Sequence, residues 1–476
     1  MPRASEGLAT LRGILNDNRS EGTVALDPPS VRISHVMKKA IPLLVSAVLV
    51  GVCLAQNPIV PPGMYMADPS AHVWGDGKLY VYGSRDESPE YYCSHSYDVL
   101  STADLIHWTI HRRTFASKGA GDQVPYSDDF LYAPDVQYRN GTYFLFYCLA
   151  NRTSTEGVAI STSPVGPFLE GRVIDTHGIN EIDPCVFIDD DGQAYYIWGQ
   201  FSAKMAKLKP GLTEIDRSTI RDGIVTEKEH RFHEGGYMVK RNGLYYFVYA
   251  GLSMKDMASC ISYSTSKSPW GPFQYGGVII DNDGSDPRNW NNHGSLVEFK
   301  GRWYVFYHRA SHGSNTMRRA CLEPITFNED GSIDQVEMTT QGAAGPLSAF
   351  KAMEAERACL LHGQVRIRAF TSDNEELTGI TDGDRAAYKY VDFGEGARSL
   401  TIRVAPGADP GALEVALDQP WHANILEKPL AVGVGDGKTW KELRTPVKSA
   451  QGVHAVWLRF ATKGTDTFKV DWFKFE

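Results

Sequence analysis

The chain has 476 residues, of which 42% are hydrophobic and 11% aromatic, and a formal net charge of −9. This length allows a large buried core and predicts two domains. The acidic balance argues against a nucleic-acid partner, because neutralising phosphates requires a basic face, and it favours a neutral ligand.

The N-terminal region carries the pattern of a secretory signal. The residues MKK at 37–39 precede the apolar run AIPLLVSAVLVGV and the small-residue end CLA, in the usual signal-peptide order. The run is too short to favour a bilayer-spanning helix, although a membrane anchor is the alternative. We predict that residues 1–36 precede the true start, that residues 37–55 are a cleaved signal peptide, and that the mature protein is secreted or periplasmic, without membrane association.

Six cysteines remain after this signal, at positions 93, 148, 185, 260, 321 and 359. They form no CxxC pair and no Cys/His cluster, so the sequence indicates neither a zinc site nor a dense disulfide framework. Most are expected to be small buried residues, and one or two disulfides remain possible in an oxidising compartment.

One phrase, an apolar strand followed by a DG, NG or KG turn and an aromatic strand, recurs five times. The copies are DPSAHVWGDGKLYVYG, APDVQYRNGTYFLFY, DPCVFIDDDGQAYYIWG, EGGYMVKRNGLYYFVYAG and NHGSLVEFKGRWYVFYH. Such turns strongly indicate β-hairpins. The turn glycines lie 51 to 64 residues apart, enough for a four-stranded unit each. We predict that residues 56–338 form an all-β domain, a five-bladed β-propeller, with a pair of β-sandwiches as the alternative.

Acidic residues recur at one position of this repeat. Nine residues before the turn glycine stand Asp68, Asp183 and Glu234, whereas the fifth copy has Asn292 followed by His293. Asp is unfavourable in a strand, and a single acid here would be explained as an exposed loop residue. Three acids in register, at the start of each unit's innermost strand, predict that the carboxylates converge at one end of the propeller axis.

Converging carboxylates can bind a metal or perform acid–base chemistry, and a neutral substrate favours the second. Inverting glycoside hydrolysis needs one carboxylate that activates water and one protonated carboxyl for the leaving oxygen. A third carboxylate nearby favours the protonated form by like-charge repulsion. A non-catalytic glycan-binding propeller is an alternative, but a binder does not need these acids in register. A metal-dependent hydrolase is disfavoured because the sequence lacks an obvious multi-histidine ligand set.

From about residue 60 to 476 the chain resembles glycoside hydrolase family 43, and within it the arabinoxylan-debranching arabinofuranohydrolases. The motifs that carry the resemblance are ADPS, YAPDV, IDPCVFIDDDGQAYYIWG, HEGGYMVKRNGLYYF and NHGSLVEFKGRWYVFYH. The resemblance implies a five-bladed propeller and inversion of configuration. It also implies that Asp68 is the general base, Asp183 the pKa-modulating and orienting acid, and Glu234 the general acid.

The same resemblance implies further site residues. His293 matches an axial histidine that helps to hold a calcium or similar ion in the central channel, with a buried, hydrogen-bonded histidine as the alternative. Arg318 resembles a pocket arginine that pairs with the modulating acid or the sugar, and its neighbour Arg319 is the alternative match. Asp135 corresponds to a recurrent residue of the second blade, in the pocket wall or structural.

Two aromatic residues near the predicted pocket, Tyr132 and Trp74, are expected to stack on a sugar face, although core packing is the default for such residues. No cofactor is required for the predicted chemistry. Calcium is expected only as a structural ion, in the propeller channel and in the C-terminal region.

After TTQGAAGPLSAF at 339–350, a predicted linker, the repeat ends. Residues 351–476 contain short alternating runs such as SLTIRVA, ALEVALD and HAVWLRF, which predict a β-sandwich of jelly-roll type. This segment resembles a family 6 carbohydrate-binding module in MEAERA, YVDFGEGARSLTIRVA, TWKELRTPV and VDWFKF.

Some positions of this module are informative on ligands. Glu356 and Asp471 match positions of a structural calcium, although ordinary surface acids fit equally well. Gly437 stands where such modules usually present a tryptophan. The residues Gly383-Asp384-Arg385 stand where they often read GDW. We therefore expect the main sugar cleft to be weakened or moved to another edge.

The predicted function is an exported, inverting, exo-acting glycoside hydrolase that releases α-L-arabinofuranosyl side groups from arabinoxylan or related hemicellulose. A β-xylosidase acting on xylo-oligosaccharides is the alternative, because fold alone does not decide function. The expected partner is a plant cell-wall polysaccharide or oligosaccharide.

Overall fold

The structure, a computed structural model, describes residues 49–53, 56–151, 155–286 and 290–476. The predicted upstream segment and signal peptide lie outside these ranges, except for the backbone of one strand at 49–53. Among the described residues no helix has the length and apolar character needed to cross a membrane.

The first part of the described chain is built from nineteen strands. They are β1 (Leu49–Cys53), β2 (Tyr65–Val73), β3 (Leu79–Asp86), β4 (Ser96–Thr102), β5 (His107–Ala116), β6 (Asp135–Arg139), β7 (Thr142–Cys148), β8 (Glu156–Ser161), β9 (Leu169–Val173), β10 (Cys185–Ile188), β11 (Ala194–Trp198), β12 (Lys204–Lys207), β13 (Phe232–Arg241), β14 (Leu244–Gly251), β15 (Cys260–Ser266), β16 (Gln274–Asp281), β17 (Ser295–Phe299), β18 (Arg302–Ser311) and β19 (Ser314–Ile325). A 3-10 helix (Arg217–Thr219) and the short helix α1 (Glu227–His230) separate β12 from β13.

All five predicted hairpins are present. The pairs β2/β3, β6/β7, β10/β11, β13/β14 and β17/β18 are antiparallel. The turn glycines have φ values between 73° and 84°, a left-handed conformation that glycine adopts without a steric penalty. The glycines therefore explain why the turns recur at these positions.

The sheets differ in size. Strands β6–β9 and β13–β16 form four-stranded sheets, and β10–β12 form a three-stranded sheet. The first and fifth hairpins belong to one eight-stranded sheet, in the order β1-β5-β4-β3-β2-β19-β18-β17. In it, β2 meets β19 in parallel through the pair Met66 and Arg319.

The prediction of four strands in each unit is wrong for the third and fifth units. After β12 the chain turns into the 3-10 helix and α1, and within the described residues its backbone pairs with its own sheet only through isolated bridges such as Met205 to Arg221. After β19 the chain leaves for the C-terminal domain. A fourth strand is therefore replaced by irregular structure in one unit and by the domain connection in the other.

Apolar residues from adjacent sheets pack into shared cores. One cluster joins Val81 and Trp108 of the first unit to Phe306 and Leu322 of the fifth. The six cysteines predicted to be small buried residues are buried, and all are free thiols. The prediction of their burial is confirmed.

The C-terminal domain contains twelve strands within the described residues. They are β20 (Leu347–Ser348), β21 (Met353–Glu354), β22 (Leu360–His362), β23 (Arg366–Ala369), β24 (Glu375–Thr378), β25 (Arg385–Asp392), β26 (Ala397–Pro406), β27 (Gly411–Leu417), β28 (Leu430–Val432), β29 (Lys441–Ala450), β30 (Val453–Thr462) and β31 (Phe468–Phe475), with 3-10 helices at Gly342–Ala344 and Ala355–Arg357. They form two six-stranded sheets. Side chains of both sheets, among them Ile402, Leu458 and Phe473, share one core, which makes this domain a β-sandwich.

The segment 339–350, predicted as a linker, is held on both sides. The Thr339 amide donates to Glu323 Oε1 of β19 at 2.7 Å, and the amides of Thr340 and Gln341 donate to the Lys389 carbonyl of β25. Its end forms β20, which joins the β25 sheet. The connection is therefore an integral part of the fold.

Candidate active site

A cleft of about 570 Å³ opens where the predicted acids meet. Asp68, Asp183 and Glu234 all line it, together with His293, Arg318 and Tyr132. The structure therefore brings together the acids that share one repeat position.

The three acids do not sit at strand starts in the way the repeat predicts. Asp68 lies inside β2, Asp183 lies two residues before β10, and Glu234 is the third residue of β13. The register of β2 shifts between Ala67 and Ser70, and that of β13 shifts on both sides of Glu234. Such bulges bend a strand and re-aim a side chain, which is how acids within strands reach the cleft.

The backbone at two of these acids is strained. Asp68 has φ 53° and Asp183 has φ 61°, in the left-handed region that side-chain-bearing residues seldom adopt. Both side chains are buried. Strain of this kind persists only where the surroundings hold it, and it is frequent at functional sites.

Arg318 holds Asp68 in place. Its Nη1 donates to Asp68 Oδ1 at 3.0 Å, while Nε and Nη2 donate to the two oxygens of Asp86, each at 2.8 Å. Ser84 Oγ donates to the other Asp68 oxygen at 2.6 Å. Burial alone would raise the pKa of Asp68, but Arg318, helped by His293 and His308, holds it well below its usual range. Asp68 is therefore a carboxylate at any moderate pH.

His293 lies between two of the acids. Its Nδ1 is 3.5 Å from Asp68 Oδ1 and 3.9 Å from Asp183 Oδ2. Burial lowers the pKa of His293, but the hydrogen bond to Asp68 and the surrounding carboxylates outweigh it and raise the pKa to about 9. The ring packs on Gly235, where a Cβ atom would come within 2.6 Å of it. Glycine is therefore required beneath the ring.

Asp183 and Glu234 have different surroundings. Burial, followed by the charges of Glu234 and Asp68 against that of His293, raises the pKa of Asp183 to about 8. Glu234 is partly exposed and accepts a hydrogen bond from Gln200 Nε2 at its Oε2, at 2.8 Å. The site thus contains one carboxyl that stays ionised and another that favours its proton.

Glu181 and Lys204 hold Gln200 in place through a series of hydrogen bonds. Its backbone amide donates to Glu181 Oε2 at 2.6 Å, and Lys204 Nζ donates to Glu181 Oε1 at 2.5 Å. Lys204 is buried, whereas the Glu181 side chain is 29% exposed. The arrangement fixes the residue that orients Glu234.

Two predicted sugar contacts do not line this cleft. Trp74 stacks on His72, with ring centroids 5.0 Å apart, and its Nε1 donates to Tyr82. Asp135 is buried and accepts hydrogen bonds from Ser70 Oγ at 2.7 Å and from the Val186 amide at 2.8 Å. Asp135 thus ties neighbouring sheets together, in agreement with its structural alternative, and neither it nor Trp74 contacts a substrate in this cleft, which corrects the expectation that Trp74 stacks on a sugar there.

Tyr132 lines the cleft as predicted. Its hydroxyl is partly buried, and burial raises its pKa to about 12. The ambiguity between the two arginines is also resolved, since Arg318 faces the cleft and Arg319 pairs with Glu375 of the C-terminal domain. Arg318 contacts Asp68, however, and not the expected modulating acid.

The two residues predicted as calcium ligands of the C-terminal domain contact other protein groups. Asp471 accepts hydrogen bonds from Asn374 and Arg403, whereas Glu356 Oε1 lies 3.9 Å from Arg357 Nε. In the described ranges no three His, Cys, Asp or Glu side chains come together, but calcium also takes backbone and amide oxygens as ligands. Calcium in this domain, like an ion at His293, therefore stays a prediction.

Several residues of the cleft could not be predicted from the sequence. Gln200 and Phe201 follow an aromatic strand, and Asp86, which holds Arg318 from outside the cleft lining, ends β3; none of them has a repeated counterpart. His233 precedes Glu234 directly, and Trp290 lies just ahead of the fifth repeat. Of these residues, only His233 could have been found from the sequence, because it is adjacent to the predicted acid Glu234.

The chain matches two known families, one in each domain. Residues 55–333 match the family Glycosyl hydrolases family 43, and residues 354–476 match Carbohydrate binding module (family 6). A "Xylosidase/arabinosidase" of Thermoclostridium stercorarium is 29% identical, with 87% of this chain and 97% of that protein covered. An "Arabinoxylan arabinofuranohydrolase" of Bacillus subtilis is 29% identical, with coverage of 86% and 90%.

A solved structure is similar to the first domain. It is a family 43 β-xylosidase/α-arabinofuranosidase from a compost microbial metagenome, in complex with xylotriose. The identity is 29% and the TM-score 0.51, and the match covers 60% of this chain and 99% of that one. It is thus similar to this chain in sequence as well as in fold.

We expect Arg318→Met to raise the pKa of Asp68, because the guanidinium that favours the carboxylate is lost while burial remains. The measurement is a pH titration by NMR of 13C-labelled aspartate carboxyls, with the Asp68 signal assigned from Asp68→Asn. Arg318→Lys keeps a charge and should give a smaller change. If the Asp68 signal of Arg318→Met still titrates below the ordinary aspartate range, Arg318 is not what keeps Asp68 ionised.

Proposed function

Because the chain belongs to glycosyl hydrolases family 43, we propose that it is an inverting, exo-acting enzyme that releases α-L-arabinofuranosyl side groups from arabinoxylan or related hemicellulose. A relative named for arabinoxylan supports this substrate. The alternative is a β-xylosidase, since relatives named for both xylosidase and arabinosidase activity are equally similar.

The observation that carries the proposal is the convergence of three carboxyls with different surroundings in one cleft. Arg318 holds the negative charge on Asp68, and the pKa of the buried Asp183 is raised to about 8. Glu234 is more exposed and is oriented by Gln200 Nε2 at 2.8 Å. A carboxylate that stays ionised and a second carboxyl elsewhere in the same cleft suit the base and the acid of an inverting reaction.

In the proposed reaction Asp68 accepts a proton from a water molecule as the water oxygen bonds to the anomeric carbon. The bond from that carbon to the leaving oxygen breaks, and Glu234 gives its proton to this oxygen. Asp183 and His293 position the reacting groups between them. Water enters on the face opposite the leaving group, so the product has the inverted configuration.

Gln200 supports the assignment of Glu234 as the acid. The amide N–H of Gln200 donates to Oε2 and so holds the Glu234 carboxyl in one orientation, as the proposed transfer of a proton to the leaving oxygen requires. On the same side of the cleft stand Phe201 and Trp290, which are 51% and 42% exposed and flank His233. We place the leaving part of the substrate on these rings, beside the acid that protonates it.

The proposal extends to the architecture and the location of the protein. The five hairpin units are taken as five blades around one axis, with the eight-stranded sheet joining the first blade to the last. The pattern at residues 37–55 supports export, which would bring the enzyme to plant cell-wall polysaccharide. A structural calcium near His293 remains part of the proposal.

The C-terminal domain is proposed to contact the polymer through Trp421. This ring is 73% exposed and borders a pocket of about 360 Å³ with Asp382 and Arg385. Trp440, in contrast, packs against Phe370 and lies under the guanidinium of Arg403. An exposed flat ring beside the charged side chains of Asp382 and Arg385 suits a neutral sugar chain.

Proton NMR during hydrolysis of arabinoxylan tests the activity. We expect arabinose to appear first as the β anomer, because inversion converts an α-linked arabinofuranoside. First appearance of the α anomer would contradict inversion. Release of xylose in place of arabinose would transfer the assignment to β-xylosidase.

Glu234→Ala should lower kcat/KM for arabinoxylan by about 10²- to 10⁴-fold, the usual contribution of a general acid. The loss should be much smaller for 2,4-dinitrophenyl arabinofuranoside, whose leaving group needs no proton. Asp68→Ala is the contrast, because removal of the base should abolish hydrolysis of both substrates. Equal losses on both substrates in Glu234→Ala would contradict its role as the acid.

Trp421→Ala should weaken binding to insoluble arabinoxylan by roughly three- to tenfold, equivalent to about 0.5–1.5 kcal/mol of aromatic contact. Hydrolysis of an aryl arabinofuranoside should not change, since the pocket lies in the other domain. Val434→Ala, which shortens another exposed apolar side chain, is the matched control. Equal binding by both variants would overturn the assignment of this pocket.

A further inference from the structure

Strand β19 presents two consecutive arginines to opposite sides. Side chains alternate along a strand, so Arg318 points to the cleft while Arg319 points to the C-terminal domain. Arg319 is buried, and its Nη1 donates to Glu375 Oε2 of β24 at 2.9 Å. The strand that carries the partner of Asp68 is thus bound to the other domain at the very next residue.

The same Glu375 side chain also binds the strand that carries Asp68. Tyr65, the first residue of β2, donates its hydroxyl to Glu375 Oε1 at 3.1 Å. His312, in the turn between β18 and β19, lies 3.4 Å from this oxygen through Nε2. One carboxylate therefore contacts β2 three residues before Asp68 and β19 one residue after Arg318.

These contacts fall where the two strands have little other backbone connection. In the described residues, β2 and β19 pair through Met66 and Arg319 alone, which are the neighbours of Tyr65 and Arg318. The distance between Asp68 Oδ1 and Arg318 Nη1 depends on how these strands lie against each other. Glu375 lies across that junction from the outer side.

We propose that Glu375 of the C-terminal domain is a positioning residue for the Asp68–Arg318 ion pair, so that the C-terminal domain is needed for hydrolysis of even the smallest substrates. The domain then acts on the reaction itself, separately from any contact with polymer. This inference rests on the proposed role of Asp68 as the base.

The burial and charge of Glu375 fit this role. Its side chain is buried, and although burial would raise its pKa, Arg319 and His312 lower it to about 2. The carboxylate therefore stays charged and keeps both strands bound over the working pH range. A small displacement of reacting groups is enough to cost a large factor in rate.

The chain offers a matched control in the next residue. Glu376 is also buried and also paired, with Lys469 Nζ at 2.8 Å from its Oε1, but this partner belongs to its own domain. Glu376→Gln removes a buried, ion-paired carboxylate from the same strand without touching β2 or β19.

The experiment compares Glu375→Gln and Glu376→Gln in the full-length protein, with an aryl arabinofuranoside as substrate. We expect Glu375→Gln to lower kcat about tenfold with KM within twofold, because a small displacement of Arg318 moves Asp68 from the position in which it accepts a proton from water. Glu376→Gln should change neither value.

A milder variant covers the case in which Glu375→Gln does not fold. Tyr65→Phe removes only the hydroxyl that links β2 to Glu375, and it should give a smaller change of the same kind. The inference is overturned if the kcat of Tyr65→Phe, and of Glu375→Gln where it folds, equals that of Glu376→Gln. Activity retained in Asp68→Ala would instead overturn the proposed function itself.

Discussion

The guanidinium of Arg318 is buried between the carboxylates of Asp68 and Asp86, and this three-residue contact organises the site. A buried charge is stable only when it is paired and hydrogen-bonded. Asp86 accepts from Nε and Nη2 and fixes the plane of the guanidinium, so that Nη1 points at Asp68. The proposed base is therefore held by a residue that itself cannot rotate.

The rest of the cleft follows from that charge. With Asp68 fixed as an anion, the next buried carboxyl, Asp183, meets both burial and repulsion, and it favours its proton. His293 lies between the two and carries a positive charge that limits the repulsion. Glu234 stands at the more open side, where Gln200 orients it. The ion pair between Arg318 and Asp68 thus accounts for the difference between Asp68, which stays ionised, and Asp183, which favours its proton.

The sequence predicted what depends on a repeated local pattern. The glycine turns predicted the hairpins, and the register of Asp68, Asp183 and Glu234 predicted the site, because both follow from one strand–turn–strand unit. The bulges that place these acids within or beside strands could not be predicted from the sequence, because they depend on how neighbouring sheets pack. Asp86 and Gln200 were missed for the same reason, since Asp86 contacts Arg318 from a strand end and Gln200 lines the cleft from a loop, and neither has a counterpart in other units.

The integral connection between the domains has a consequence for how such proteins diversify. A module joined by a free linker can be exchanged as a cassette, because no buried group depends on it. Here the carboxylate of Glu375 neutralises Arg319. A foreign module without this carboxylate would leave the guanidinium of Arg319 buried and without its ion-pair partner. Recombination of this chain, in nature or in the laboratory, would have to transfer β19 together with the C-terminal domain, so that Arg319 keeps its buried partner.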